Sequence, residues 1–228
     1  MSDEFALPIA AVVFDIDGTL LTTGGAGAVA WDLAFQHLYG RRANIEDFTE
    51  AGLPDHEVCR LTFVGVLGRS PSEAEIAGLL SSYLHHIEAA VAASPGYRIM
   101  PGVIDLLDRL SRMGLLLGIT TGNVAAAAHA KLARGGLNKY FVVGGYGSDS
   151  PDRTVLTQKA IDRAGRLLGG ALHPSRVVVV GDTPHDIAAA LGVGAVPVGV
   201  ATGHFSVDEL DEAGAAYALQ TVEVGFPV

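Results

Sequence analysis

Ile9-Ala10-Ala11-Val12-Val13-Phe14, continued without a break by Asp15-Ile16-Asp17-Gly18-Thr19-Leu20, is the stretch that decides the fold. An unbroken apolar run closed by a carboxylate is the pattern of a strand buried on both faces of a parallel sheet. Leu115 to Ile119, Val177 to Val180 and Ala195 to Val200 repeat it, each followed by Thr, Gly or Asp, and Phe141-Val142-Val143 is a weaker fifth run. Helical spacings separate them: Ile104, Leu107 and Leu110 before the second run, and Val155, Leu156, Ile161 and Leu167 before Val177. This alternation predicts an α/β fold whose polar chemistry gathers at the carboxyl ends of parallel strands.

The stretch from about Leu21 to Arg98 carries no strand pattern. Ile76, Leu79, Leu80, Tyr83, Leu84 and Ile87 instead mark one face of a helix opened by Ser70-Pro71-Ser72-Glu73. Ala30, Leu33, Ala34 and Leu38 suggest another, with Trp31 and Phe35 four apart as packing residues. A crossover between neighbouring strands needs far fewer residues. The expectation is a core of residues 1–21 and 97–228 with an inserted α-helical cap over 22–96, entered and left through Gly24-Gly25-Ala26-Gly27 and Ser94-Pro95-Gly96, which have hinge composition.

Composition bounds the partners. Of 228 residues, 25 are acidic and 15 are Lys or Arg, a net charge of −10 that opposes a nucleic-acid backbone or an anionic membrane. Cys59 is the only cysteine, so neither an intrachain disulfide nor a cysteine-based zinc cluster forms. Met1-Ser2-Asp3-Glu4 lacks the basic start of a secretory signal, and Ile187 to Gly203 holds Pro197 and several glycines, unlike a membrane helix. A cytoplasmic protein is expected, and nothing in the sequence speaks to oligomeric state.

Three strand ends carry the chemistry. Asp15 and Asp17, at i and i+2, can enter one cleft, with Gly18 allowing a sharp turn. Asp182 and Asp186, in Gly181-Asp182-Thr183-Pro184-His185-Asp186, add two more carboxylates and complete an oxygen-rich set suited to Mg2+. Helix capping by Asp182 or Thr183, with Pro184 at the first helical position, accounts for Asp182 but leaves Asp186 without a role. Thr120-Thr121-Gly122-Asn123 offers hydroxyls and backbone N–H groups at a helix start, where a phosphoryl oxygen can bind.

In this order, these motifs resemble the haloacid dehalogenase-like superfamily, and within it the phosphoglycolate phosphatase-like and β-phosphoglucomutase-like branch. The resemblance implies a Rossmann-like core with a helical cap, and a Mg2+-dependent phosphatase acting on a small phosphorylated metabolite. It makes Asp15 the nucleophile that forms an aspartyl-phosphate and Asp17 the acid and base. It makes Thr121 a phosphoryl contact, with Gly18, Gly122 and Asn123 around the phosphate. It assigns Mg2+ to Asp15, Asp17, Asp182 and Asp186. The family's lysine before the last motif is missing: the region reads Ser148-Asp149-Ser150-Pro151-Asp152-Arg153-Thr154, and Arg153 is the nearest cation. Lys159 lies too far into the helix, and Lys131 reads as a solvated side chain. Thr49 to His56 aligns with a family loop that selects substrate, Leu53 and Pro54 standing where Arg and Thr are usual. Asp55 reads there as a helix N-cap or a substrate contact.

A phosphomutase would use the same residues and is the first alternative. A dehalogenase would leave Asp17 and the Asp182–Asp186 carboxylates idle, and a non-catalytic phosphoacceptor would not need a cap. Gly25 to Ala30 matches a dinucleotide pattern but lies too far past its strand to serve it. His85-His86 reads as surface, His56 with Cys59 is too small a set for zinc, and His185 belongs near the cleft.

Overall fold

The protein is described from a computed structural model covering residues 8–228; the acidic start Met1 to Glu4 lies outside the described residues. In chain order the strands are β1 (Ala11–Phe14), β2 (Leu21–Thr22), β3 (Arg98–Ile99), β4 (Leu116–Thr121), β5 (Val143–Tyr146), β6 (Val177–Gly181), β7 (Val196–Val200) and β8 (Tyr217–Leu219). The α-helices are α1 (Ala26–Tyr39), α2 (Asp55–Leu67), α3 (Glu73–Ala93), α4 (Val103–Arg112), α5 (Ala125–Arg134), α6 (Arg153–Leu167), α7 (Pro184–Val193) and α8 (Val207–Glu212).

Six strands form one parallel sheet in the order β5-β4-β1-β6-β7-β8. Alternate residues feed its two faces, as strand geometry requires. Val12, Phe14, Ile119, Val178 and Val180 pack with Leu107 and Leu110 of α4. Ala11, Val13, Val177 and Val179 pack with Ala160, Ile161 and Ala164 of α6. Both sets are buried, which is why these strands read as continuous apolar runs. The chain builds β4 and β5 on one side of β1, then crosses to β6 on the other, so β1 sits at the switch point where such sheets open a crevice.

Several sequence expectations shift. The fifth strand lies at Val143–Tyr146 rather than Phe141 to Val143, since Val142 is exposed and only the glycine-containing stretch pairs with β4. Ile104, Val155 and Leu167 face solvent instead of the core. In α1 the buried stripe runs through Ala30, Trp31, Ala34 and Phe35, and leaves Leu33 and Leu38 exposed. β2 and β3, two residues each, pair antiparallel where no strand was expected, and β8 was likewise unmarked.

Between β2 and β3 the chain forms α1, α2 and α3. Trp31, Phe35, Phe63, Leu79, Tyr83 and Ile87 make their common core, which extends to Val124 and Ala127 beside and within α5. Trp31 stacks on Tyr83 with ring centroids 4.3 Å apart and planes 8° apart. The capping box of Ser72 and Glu75 starts α3. The two linkers cross backbone to backbone: a Cβ on Gly24, at φ 60°, would lie 2.4 Å from Gly96 main-chain atoms. Only glycine fits there. Among the described residues, no helix is long and apolar enough to cross a membrane.

Candidate active site

The carboxyl ends of β1, β4 and β6 bring the three motifs together. Asp15 follows β1 and is 5% exposed, its backbone N–H donating to Val180 O at 2.8 Å. Asp182 follows β6, and its Oδ1 accepts from Thr19 Oγ1 at 2.9 Å. Gly18, at φ 83°, makes this approach possible, because a Cβ there would lie 2.2 Å from Asp182 Oδ2. Oxygens of Asp15, Asp182 and Asp186 lie within 4.8 Å of one another, all three residues buried.

Asp186 sits there for a reason missed in the sequence. Its Oδ2 accepts from the Thr183 N–H at 3.1 Å and hydroxyl at 2.7 Å, closing a capping box at the start of α7. Its Oδ1 accepts from Arg153 Nε at 2.9 Å and Nη2 at 2.6 Å. Local capping therefore accounts for Asp186 too, and both its oxygens are engaged. Arg153 Nη2 is also 2.9 Å from Asp15 Oδ1, and Nη1 donates to Gly52 O of the helical insert at 2.6 Å. The cation expected near position 153 is thus in the site. It opens α6, whose N-cap Asp152 accepts from the Thr154 N–H at 2.8 Å.

Lys131 corrects the sequence expectation of a solvated side chain. It is 6% exposed and donates to Asp17 Oδ2 and to Asn123 Oδ1, each at 2.6 Å. Its place follows from Ala127 and Ala128, one turn earlier on the buried face of α5. Asn123 Nδ2 donates to Asp17 Oδ2 at 2.8 Å and to Thr121 Oγ1 at 2.9 Å, so the Asn123 amide brackets Asp17 and Thr121.

Asp55 is not the N-cap of its own helix, which is Pro54; it lines the cavity with one of its carboxylate oxygens engaged. Its N–H donates to Gly122 O at 2.9 Å, and its Oδ2 accepts from the Val124 N–H at 2.7 Å. The start of α2 is thereby strapped across the loop that carries Thr121, Gly122 and Asn123. A Cβ on Gly122 would lie 2.8 Å from Pro54 Cα. His185 is exposed and lies near Gly52 rather than among the carboxylates. Trp31 lines the cavity as well as packing the insert.

Burial is the main force on the acidic groups. It raises the Asp15 carboxyl to about 7, with Arg153 opposing and Asp186 and Asp17 reinforcing. It raises Asp182 to about 8, with Asp15 and Asp186 adding repulsion, and Asp55 to about 6 against the pull of Lys131. Burial works against the charge on Arg153, but Asp186 and Asp15 outweigh it and hold the guanidinium protonated. In an unfolded chain these carboxyls titrate near ~3.9. The folded protein therefore holds protons that the unfolded one releases, and the stability this confers is lost as pH rises from about 4 through about 8. The chelated protein is expected to melt about 5 °C lower at pH 8.5 than at pH 6. A melting temperature that is flat or rises over that interval would contradict this burial account.

Above the carboxylates lies a cavity of about 810 Å³, bounded by Asp15, Asp17, Thr121, Lys131 and Arg153 below and by residues of the helical insert above.

A family profile described as haloacid dehalogenase-like hydrolase matches residues 9–194. Phosphoglycolate phosphatase of Rhodobacter capsulatus is 31% identical over 190 residues, spanning 81% of this chain and 80% of that protein. Phosphoglycolate phosphatase of Thiobacillus denitrificans is 30% identical over 213 residues, 91% of each. A hydrolase of known structure from Pseudomonas syringae superposes with a TM-score of 0.69 over 94% of both chains at 21% identity, a likeness of fold.

Proposed function

Because the chain belongs to the haloacid dehalogenase-like hydrolases, as a phosphatase among them, we propose that it cleaves a small phosphomonoester in two steps through an aspartyl-phosphate on Asp15. The observation that carries this reading is the meeting of Asp15, Asp17 and Thr121 with two buried cations, Arg153 and Lys131, under one cavity.

A carboxylate oxygen of Asp15 attacks phosphorus while the bond to the substrate alcohol breaks, and Asp17 gives that alcohol its proton. Asp17 suits the role because its side chain remains 41% exposed while Lys131 and Asn123 hold one of its oxygens. Water, giving its proton back to Asp17, then attacks the acyl phosphate and releases inorganic phosphate, restoring Asp15. The Thr121 hydroxyl accepts from Asn123 and so keeps its own proton to donate to a phosphoryl oxygen. Gly122 and Gly18 keep the surrounding backbone close, and Arg153 and Lys131 stand where negative charge gathers.

The donor set fits a hard divalent cation such as Mg2+: three buried carboxylates converge, and the four site aspartates, once ionised, carry two more charges than Arg153 and Lys131 offset. Asp15, Asp182 and the main-chain carbonyl of Asp17 would hold it, with Asp186 alongside orienting Arg153. When bound, Mg2+ supplies positive charge that offsets repulsion between carboxylate and phosphate and favours the ionised carboxyls. Residues 22–96 act in this reading as a cap pivoting at the Gly24–Gly96 crossing, over a core of 1–21 and 97–228.

Phosphate release from small phosphomonoesters tests the reading. We expect turnover with Mg2+, a loss of at least about 100-fold on chelation, and a phosphoryl group on the Asp15 peptide after acid quenching. Undiminished turnover in chelator would rule the metal out. Conversion of a sugar phosphate to its isomer without phosphate release would make the protein a mutase.

A further inference from the structure

We propose that the substrate's alcohol half carries no negative charge and presents an apolar, ring-sized body to the insert. The inference rests on the phosphatase reading above and concerns the other end of the same cavity.

Every residue that the insert contributes to the cavity wall is apolar, small, hydroxyl-bearing or acidic; none is cationic. Trp31, Ile45, Leu53, Val58 and Tyr83 form its apolar surface, and Phe205 extends it from the loop after β7. Glu46 and Glu50 are exposed at the same wall. None of the insert's four arginines lines the cavity: Arg42 pairs with Asp32, Arg60 with Glu57 and Arg69 with Glu75, and Arg41 is exposed outside the cavity wall. The two cations on the core side, Arg153 and Lys131, are held by Asp15, Asp17 and Asp186 on the cavity floor, beside the proposed nucleophile. A carboxylate or second phosphate reaching into the insert would meet Glu46 and Glu50 with no lysine or arginine to offset them, and desolvating it there is costly.

Size points the same way. About 810 Å³ lies well inside the ~300–1,000 Å³ range of pockets that enclose a drug-sized ligand, far more than a two-carbon acid needs. The Tyr83 hydroxyl makes no hydrogen bond among the described residues. Burial keeps it protonated, and it is left to meet one polar group on an otherwise apolar body.

Steady-state phosphate release from benzyl phosphate, ethyl phosphate and phosphoglycolate with Mg2+ decides the matter, because all three release a primary alcohol that needs the same proton. The expected order of kcat/KM is benzyl above ethyl by about tenfold, for the apolar wall, and ethyl above phosphoglycolate by about tenfold, for the charge. Glu50→Lys, at an exposed position, should narrow the gap between ethyl phosphate and phosphoglycolate chiefly through KM. Phosphoglycolate equal to or ahead of ethyl phosphate overturns the charge argument, and benzyl phosphate no better than ethyl overturns the apolar one. Either result leaves the phosphatase reading standing. Hydrolysis of none of the three defeats that reading and this inference together.

Discussion

Asp15→Asn is expected to abolish phosphate release, lowering kcat by at least about 10⁴-fold, the scale on which losing a nucleophile is felt. The amide keeps the shape of the carboxyl but cannot attack phosphorus. Stability should move the other way. Asp15 is buried beside Asp182 and Asp186, and its charge is among the causes that raise Asp182. Removing it relieves repulsion, so the chelated variant should melt no lower than the parent at pH 8. Residual turnover within tenfold of the parent would take the nucleophilic role away from Asp15, and a collapsed melting temperature would make the residue structural.

Arg153→Ala carries the second large effect, in the opposite pattern. Among the described residues, Arg153 is the one side chain that touches Asp15, Asp186 and the insert at Gly52 together. Truncation leaves two buried carboxylates facing each other with no cation between them, a change that costs about 3–5 kcal/mol in comparable buried pairs. It also removes a cation from the cavity floor, which in the proposed reaction is worth about 10²- to 10³-fold in kcat. Arg153→Lys separates the two losses. A lysine restores a point charge near Asp186 without the planar fork, so stability should recover more than kcat/KM does. If kcat/KM for Arg153→Ala, measured well below its melting point, matches the parent, the guanidinium holds the fold and takes no part in turnover.

What was legible in the sequence follows from what each residue's surroundings demand. Val12 to Phe14 and Val177 to Val180 are buried on both faces, so every position had to be apolar and the strands declared themselves. Tyr217–Leu219 is a partly exposed three-residue edge strand, and two-residue β2 and β3 are stabilised by pairing rather than by composition. Asp15 and Asp182 stood out because a carboxylate closing a buried apolar strand is costly to desolvate unless a site uses its charge, and Asp17 because it follows Asp15 by two residues. Lys131 did not, because its alanine-rich helix marks the inward face with only one bulky apolar residue, Leu132, too few to fix which side of the helix is buried. The partner of Asp55 lies 69 residues away, and no local pattern encodes such a contact. Asp186 shows the reverse error: a local capping box was present, but with Asp in place of the usual Glu it does not stand out.

The Asp55 strap also bears on exchanging parts between proteins. In most capping boxes both partners belong to the same helix, but here the carboxylate that satisfies the N–H of Val124, the N-cap of α5, is supplied by the first residue of α2. A chimera that kept this core, α5 included, and borrowed its helical insert from a relative would leave α5 without that carboxylate unless the graft supplied an Asp at the matching place. The cost would fall on the element that carries Lys131. Such a hybrid should fold and yet turn over poorly, and restoring that single carboxylate is the repair to try first.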